Sequence, residues 1–160
     1  MPETSENYTI FIKHISNNKI WKIDKLSAIH SELININIIE NTNSDSYGRS
    51  SYNPLVVSDV SIDTIDFIIT YLSKGNGTKS APEYPIKNIH ISVTLDDEYH
   101  LFADLYSDKE SLKDKILKLN EYVRTAVYFK IKHLPNKLCS IIAFLLKDIN
   151  VVEALNVLND

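Results

Sequence analysis

The apolar residues keep a strand-like pattern at the front of this chain and a helical one at its back, and that contrast limits what it can fold into. Near the front, Tyr8 to Ile15 and Lys19 to Ile23 are rich in β-branched and aromatic residues, the composition of half-buried strands. From Leu112 onward the apolar residues return at every third or fourth position, which is the spacing of a helix face. Strands come first, helices last, and no internal repeat is visible. The expectation is one α+β domain, a small sheet flanked by helices with a helical C-terminal half. A chain of 160 residues can bury such a core without metals or disulfides.

Local signals divide the chain further. Ser16-Asn17-Asn18 parts the two front strands, and asparagine tolerates the positive φ that tight hairpin turns demand. Asp24 is placed to cap a short helix through Ala28, Ile29 and His30, with Leu33 continuing its apolar side. Leu33 to Ile39 stays open between strand and helix, because its alternation suits one and its flanks the other. Asn41 to Asn53 is polar and reads as a loop. Pro54 to Val57 is a short buried-strand candidate. Ser58 or Ser61 then caps a helix carrying Ile62, Ile65, Ile68, Ile69 and Leu72 on one face, and Gly75-Asn76-Gly77 stops it.

A second loop follows, holding Pro82 and Pro85. Ile89 to Val93 is a strand or the lead-in to a helix starting at Thr94. Ser107 and Glu110 form a capping box for a helix with Leu112, Ile116, Leu119, Val123 and Val127 on its apolar face. Pro135 opens the next helix, and Asn150 to Leu158 supplies a last short one. The expected organisation is a flexible N-terminus over 1–7, a domain over 8–147 with loops at 41–53 and 75–88, and a short C-terminal helix over 148–160.

Composition narrows function. The net charge of −4 and the lack of a basic stripe argue against nucleic acid as a partner. No charged-then-apolar leader opens the chain, and the longest apolar run, Ile141 to Leu146, is too short to span a bilayer. Cys139 is the only cysteine, which suits a reducing compartment, so a cytoplasmic or nuclear location is expected. The histidines lack zinc-ligand spacing, and the chain has no phosphate-binding loop and no nucleophile elbow. Asp96-Asp97-Glu98 suits the acidic first turn of a helix. No cofactor, metal or catalytic residue is expected.

One stretch is distinctive. Ala126-Val-Tyr-Phe-Lys-Ile-Lys-His-Leu134, followed by Leu138-Cys139 and Ile141-Ile142-Ala143, resembles the helix–turn–helix signature of BTB/POZ domains. It is similar above all to the S-phase kinase-associated protein 1 family, the F-box-binding adaptors of cullin ubiquitin ligases, where the string reads approximately A-N-Y-L-D-I-K-G-L. Further segments agree in order. Pro54-Leu-Val-Val-Ser-Asp-Val60 resembles the family's P-L-P-N-V, Leu95-Asp-Asp-Glu-Tyr99 its W-D-x-E-F, and Leu155-Asn-Val-Leu-Asn-Asp160 its F-N-I-K-N-D. The resemblance covers nearly the whole chain. Three departures stand out: the charged, bulkier Tyr122-Val-Arg-Thr-Ala126 helix end, Val127 where the family has asparagine, and a stop at Asp160 where the family continues into a further helix.

The resemblance implies a BTB/POZ fold and an adaptor that does no chemistry. It implies an F-box-like helical partner on Leu138, Cys139, Ile142, Leu145, Leu146, Val152, Leu155 and Leu158, an amphipathic helix laid into an apolar groove. It implies a cullin N-terminal domain at Val127 and Tyr128. A stand-alone BTB/POZ module is the alternative, one that homodimerises or occupies a cullin without delivering substrate. The plain counter-expectation for each aliphatic residue is core packing, and for Cys139 an inert small hydrophobe.

Overall fold

Alternation in the front half builds a sheet with one apolar face. In β1 (Thr9–His14) the side chains of Ile10 and Ile12 are buried, and in β2 (Ile20–Asp24) those of Trp21 and Ile23. The two strands pair antiparallel, with Ile10 opposite Ile23 and Ile12 opposite Trp21. β3 (Leu55–Val57) adds to the other side of β1 in parallel, giving a three-stranded mixed sheet in the order β2-β1-β3. The computed structural model describes residues 6–40, 46–75, 102, 105 and 109–159. The expected features at 41–45, 76–88, Ile89 to Val93, Thr94 and Ser107, and the side chain of Leu158, lie outside the described residues.

The hairpin turn is not built as its asparagines suggest. Neither Asn17 nor Asn18 takes a positive φ. Instead the buried His14 ring organises the turn: its Nδ1 accepts from the Ser16 N–H at 3.1 Å and faces the Ser16 hydroxyl at 2.8 Å. Because Nδ1 accepts that backbone donor, Nε2 carries the proton and donates to the Val60 carbonyl at 3.0 Å. Asn17 contributes through its side chain, which accepts from the Lys19 N–H.

Helices cover the apolar face. α1 (Lys25–Ala28) starts at Asp24, whose carboxylate accepts from the Ser27 N–H. α2 (Glu32–Ile34) starts at Ser31 and runs into a π-helical turn, Asn35–Ile39. That settles the ambiguous segment. Ile34 and Ile38, four apart, are buried, while Ile36 between them is exposed, so the period is helical. α3 (Ile62–Ser73) follows Ser61, whose hydroxyl makes no cap bond; the Ser61 carbonyl instead accepts from the Thr64 hydroxyl. Gly75, at φ 75°, ends α3 by donating to the Leu72 carbonyl.

α4 spans Leu112–Tyr128. Ser111 is the cap, accepting from the Asp114 N–H and donating to its carboxylate at 2.6 Å. α5 (Leu134–Leu146), with Pro135 in its first turn as expected, packs against α4, and α6 (Val151–Asn159) also touches α4. The core joins the sheet's inner face to α3, α4 and the start of α5 through Phe67, Tyr71, Leu119, Phe129, Leu138 and Ile141. The fold is α+β with a helical C-terminal half.

Candidate functional site

The residues expected to meet a helical partner divide along the chain. In α5 the positions Leu134, Leu138 and Ile141 share one helix face and are fully buried. Leu138 therefore offers no surface: its side chain is consumed by the domain's own core, which corrects its assignment to a partner groove. One turn on, Ile142, Leu145 and Leu146 are only half-buried, because the helix runs out past the core. Cys139 is exposed, and partial burial of its thiol pushes it above its ordinary pKa.

α6 is where apolar surface is left over. Asn150 caps it, its side-chain oxygen accepting from the Glu153 N–H at 2.8 Å. Val151, Val152 and Leu155 then stand 74, 69 and 51 % exposed. Their spacing of three and four puts them on one stripe, while Ala154 and Val157 are half-buried. A large aliphatic side chain is worth about 1.5–3 kcal/mol on full burial, and this stripe forgoes most of that within the monomer. Ile142, Leu145 and Leu146 precede it in the chain; Ile142 and Leu145 pack partly against the core, and all three keep part of their surface exposed.

The distinctive string sits at a stitched junction. α4 ends in a Schellman pair, with Ile131 N–H donating to the Ala126 carbonyl and Lys130 N–H to that of Val127. The required left-handed residue is Lys130, at φ 52°. The carbonyls of Phe129 and Lys130 accept from the N–H groups of Leu33 and Glu32, so the end of α4 and the start of α2 satisfy each other's orphan groups. Ser31 locks this contact. Fully buried, its hydroxyl donates to the Phe129 carbonyl at 2.6 Å and accepts from the Ile34 N–H at 3.3 Å. His133, at φ 72°, makes a second left-handed step into α5.

Val127 and Tyr128 lie on this junction with different fates. Val127 is 56 % exposed. Tyr128 is half-buried against Phe129, and its hydroxyl accepts from the Ser58 N–H at 3.2 Å just beyond β3. An open groove of about 570 Å³ lies at the junction itself, lined by Ile29, His30, Glu32 and Asn35 and by Lys130 to Lys132.

Two buried polar contacts escaped sequence reasoning. Lys137 is almost wholly buried and donates to the Tyr71 hydroxyl at 2.7 Å; its place three residues after Leu134 and four before Ile141 was the available signal. Thr64 and Thr125 meet hydroxyl to hydroxyl between α3 and α4, and nothing in either local pattern marks them as partners. Among the described residues no group of acidic, histidine or cysteine side chains is arranged to hold a metal, and no helix is long and apolar enough to cross a membrane. No protein-family model matches the chain, and a search of curated proteins finds no similar one.

Proposed function

We propose that this chain is an adaptor of BTB/POZ type, related to the S-phase kinase-associated protein 1 family, that bridges an F-box-like helical partner to a cullin in a ubiquitin ligase complex. The observation that carries the proposal is the stripe Val151, Val152 and Leu155, exposed on a helix that has an apolar face to give. A partner's amphipathic helix laid on this stripe and on Ile142, Leu145 and Leu146 removes that surface from water. The adaptor does no chemistry; it sets the distance and orientation between a substrate receptor and the ligase.

Local geometry supports the family resemblance. Where the family string has glycine this chain has His133, and His133 adopts φ 72°, a conformation that glycine takes at no steric cost. The cullin-type contact falls to Val127 and the exposed part of Tyr128. With valine in place of asparagine, that contact is apolar, and the tyrosine hydroxyl is already engaged by Ser58. A second reading, a BTB/POZ module that pairs with another copy of itself, draws on the same exposed stripe.

Co-purification with an F-box peptide tests the first reading. Val152→Asp and Leu155→Asp are expected to abolish capture without unfolding the domain, since both side chains already face water. Capture that survives both substitutions removes the stripe from the proposal. Light scattering separates the two readings: a homodimer that the same substitutions dissolve favours self-association. Val127→Asp against a cullin N-terminal domain probes the other contact, and undiminished affinity takes Val127 out of it.

A further inference from the structure

The two edges of the sheet, β3 and β2, are finished differently. In β3 the Val57 carbonyl accepts from the Ile15 N–H at 2.9 Å, so Val57 faces β1 and Val56, one residue earlier, faces away. The outward positions along this edge are then Pro54, Val56 and Ser58. Pro54 has no N–H to offer, and the Ser58 N–H is taken by the Tyr128 hydroxyl at 3.2 Å. A very short strand with a proline beside it is a usual way of closing an edge to further pairing.

β2 is longer and holds no proline. The Lys25 N–H donates to the Tyr8 carbonyl at 2.9 Å, so every second pair from there is hydrogen-bonded: Ile10 with Ile23, and Ile12 with Trp21. Ile20 and Lys22 therefore turn their N–H and C=O groups away from β1. Among the described residues those groups have no partner, and they repeat at about 7 Å along the strand. Lysine on an edge commonly guards it, but both lysines here are turned aside. The Lys22 ammonium lies over the Phe11 ring, 5.7 Å from its centre. That of Lys19 is held by the Asp66 carboxylate at 2.7 Å, beside the Trp21 ring.

We propose that the β2 edge takes an extended segment of a partner protein as a fourth strand of the sheet. The chemistry of the open groups names this occupant: they are backbone donors and acceptors at strand spacing, and another strand's backbone satisfies them in full. Partner side chains on the outer face lie beside half-buried Ile20 and the stem of exposed Lys22, which favours uncharged β-branched residues there. The β1–β2 pairing is untouched, because it uses the opposite side of β2. None of the α6 stripe takes part, and the inference does not rest on the adaptor reading.

Fluorescence anisotropy with the full chain and a labelled peptide of alternating valine and threonine tests it. The peptide binds, and the same peptide with every second amide N-methylated does not. Lys22→Pro removes an outward N–H that β1 never uses, a place where an edge strand tolerates proline, and weakens binding about tenfold or more. Ile20→Pro, at the first residue of the strand, does the same. Thermal unfolding confirms that both variants fold. Lys22→Ala, which keeps the amide, and Leu155→Asp leave binding unchanged. In hydrogen exchange the Ile20 and Lys22 amides are open in the free chain and protected by the peptide. No binding by the wild-type chain, equal binding by the proline variants or by the methylated peptide, or a homodimer that the proline variants dissolve overturns the proposal.

Discussion

α5 and α6 are neighbours in sequence, both rich in aliphatic residues, and they meet opposite fates. The first three turns of α5 drive Leu134, Leu138 and Ile141 into a core shared with the sheet, while α6 leaves Val151, Val152 and Leu155 in water. Apolar spacing is the same signal in both. What separates them is what lies opposite: α5 packs broadly against α4 and sends Leu134, Leu138 and Ile141 into the core, whereas α6 makes a much smaller contact with α4. A stripe becomes core or stays exposed according to its neighbours.

Truncation is the most direct way to break that contrast. Leu138→Ala should cost about 2–5 kcal/mol of folding stability, because it leaves a cavity in a closed site. Leu155→Ala should change stability by less than about 0.5 kcal/mol, as exposed substitutions do. Urea denaturation of the two variants measures both. A Leu155 cost close to that of Leu138 means that α6 is folded into the core and has no surface to lend.

Next in size is the junction that holds α4 against α2. Ser31→Ala removes the hydroxyl that serves both the Phe129 carbonyl and the Ile34 N–H. A lost cap costs about 0.5–2 kcal/mol, and the buried carbonyl left without its hydroxyl donor adds to it. Its Leu33 N–H contact is long, at 3.4 Å, and replaces little of the loss. A total of about 2 kcal/mol is expected by the same denaturation experiment. A negligible effect means that the string 126–134 is held by packing alone, and the stitched hydrogen bonds are incidental.

How much of this was legible follows from the same contrast. The hairpin was readable because strand composition repeats on both sides of a polar gap, and its inner face follows from alternation alone. Its turn was not, since the deciding group is the His14 ring, which acts by folding back on Ser16. The segment 33–39 alternates in sequence, yet the cap at Ser31 starts a helix and throws Ile36 outward. Leu138 and Ile142 look equivalent on a helical wheel; only the depth at which α5 leaves the core distinguishes them. The Thr64–Thr125 contact joins positions 61 residues apart, a separation that no local pattern encodes.

A smaller effect, of opposite sign, sharpens the picture of the junction. Lys130 ends α4 in the left-handed region, where a Cβ is disfavoured. Lys130→Gly should stabilise the domain by about 0.5–1 kcal/mol, measured as a higher urea midpoint. Destabilisation instead shows that the lysine side chain, on the wall of the groove, contributes contacts that outweigh its backbone strain.

The smallest expected effect separates front from back by titration. Among the described residues, the two carboxylates with depressed pKa values, Asp24 and Asp66, belong to the front half. For Asp24 partial burial opposes ionisation, but the Ser27 hydrogen bonds outweigh it; for Asp66 the Lys19 hydrogen bond dominates, aided by Trp21. A carboxylate held below its unfolded value stabilises the fold fully above about pH 4, and that stability is lost as pH falls through the depressed value. Acid should therefore loosen the hairpin and α1 before α6, by well under about 1 kcal/mol for the exposed Lys19–Asp66 pair. Asp24→Asn keeps a capping oxygen and Asp66→Asn removes the ion pair, so together they should flatten the acid limb of the stability curve. Hydrogen exchange resolved along the chain locates the loss: opening that begins in α6 instead means that the C-terminal helix, and not the hairpin, is the acid-sensitive element.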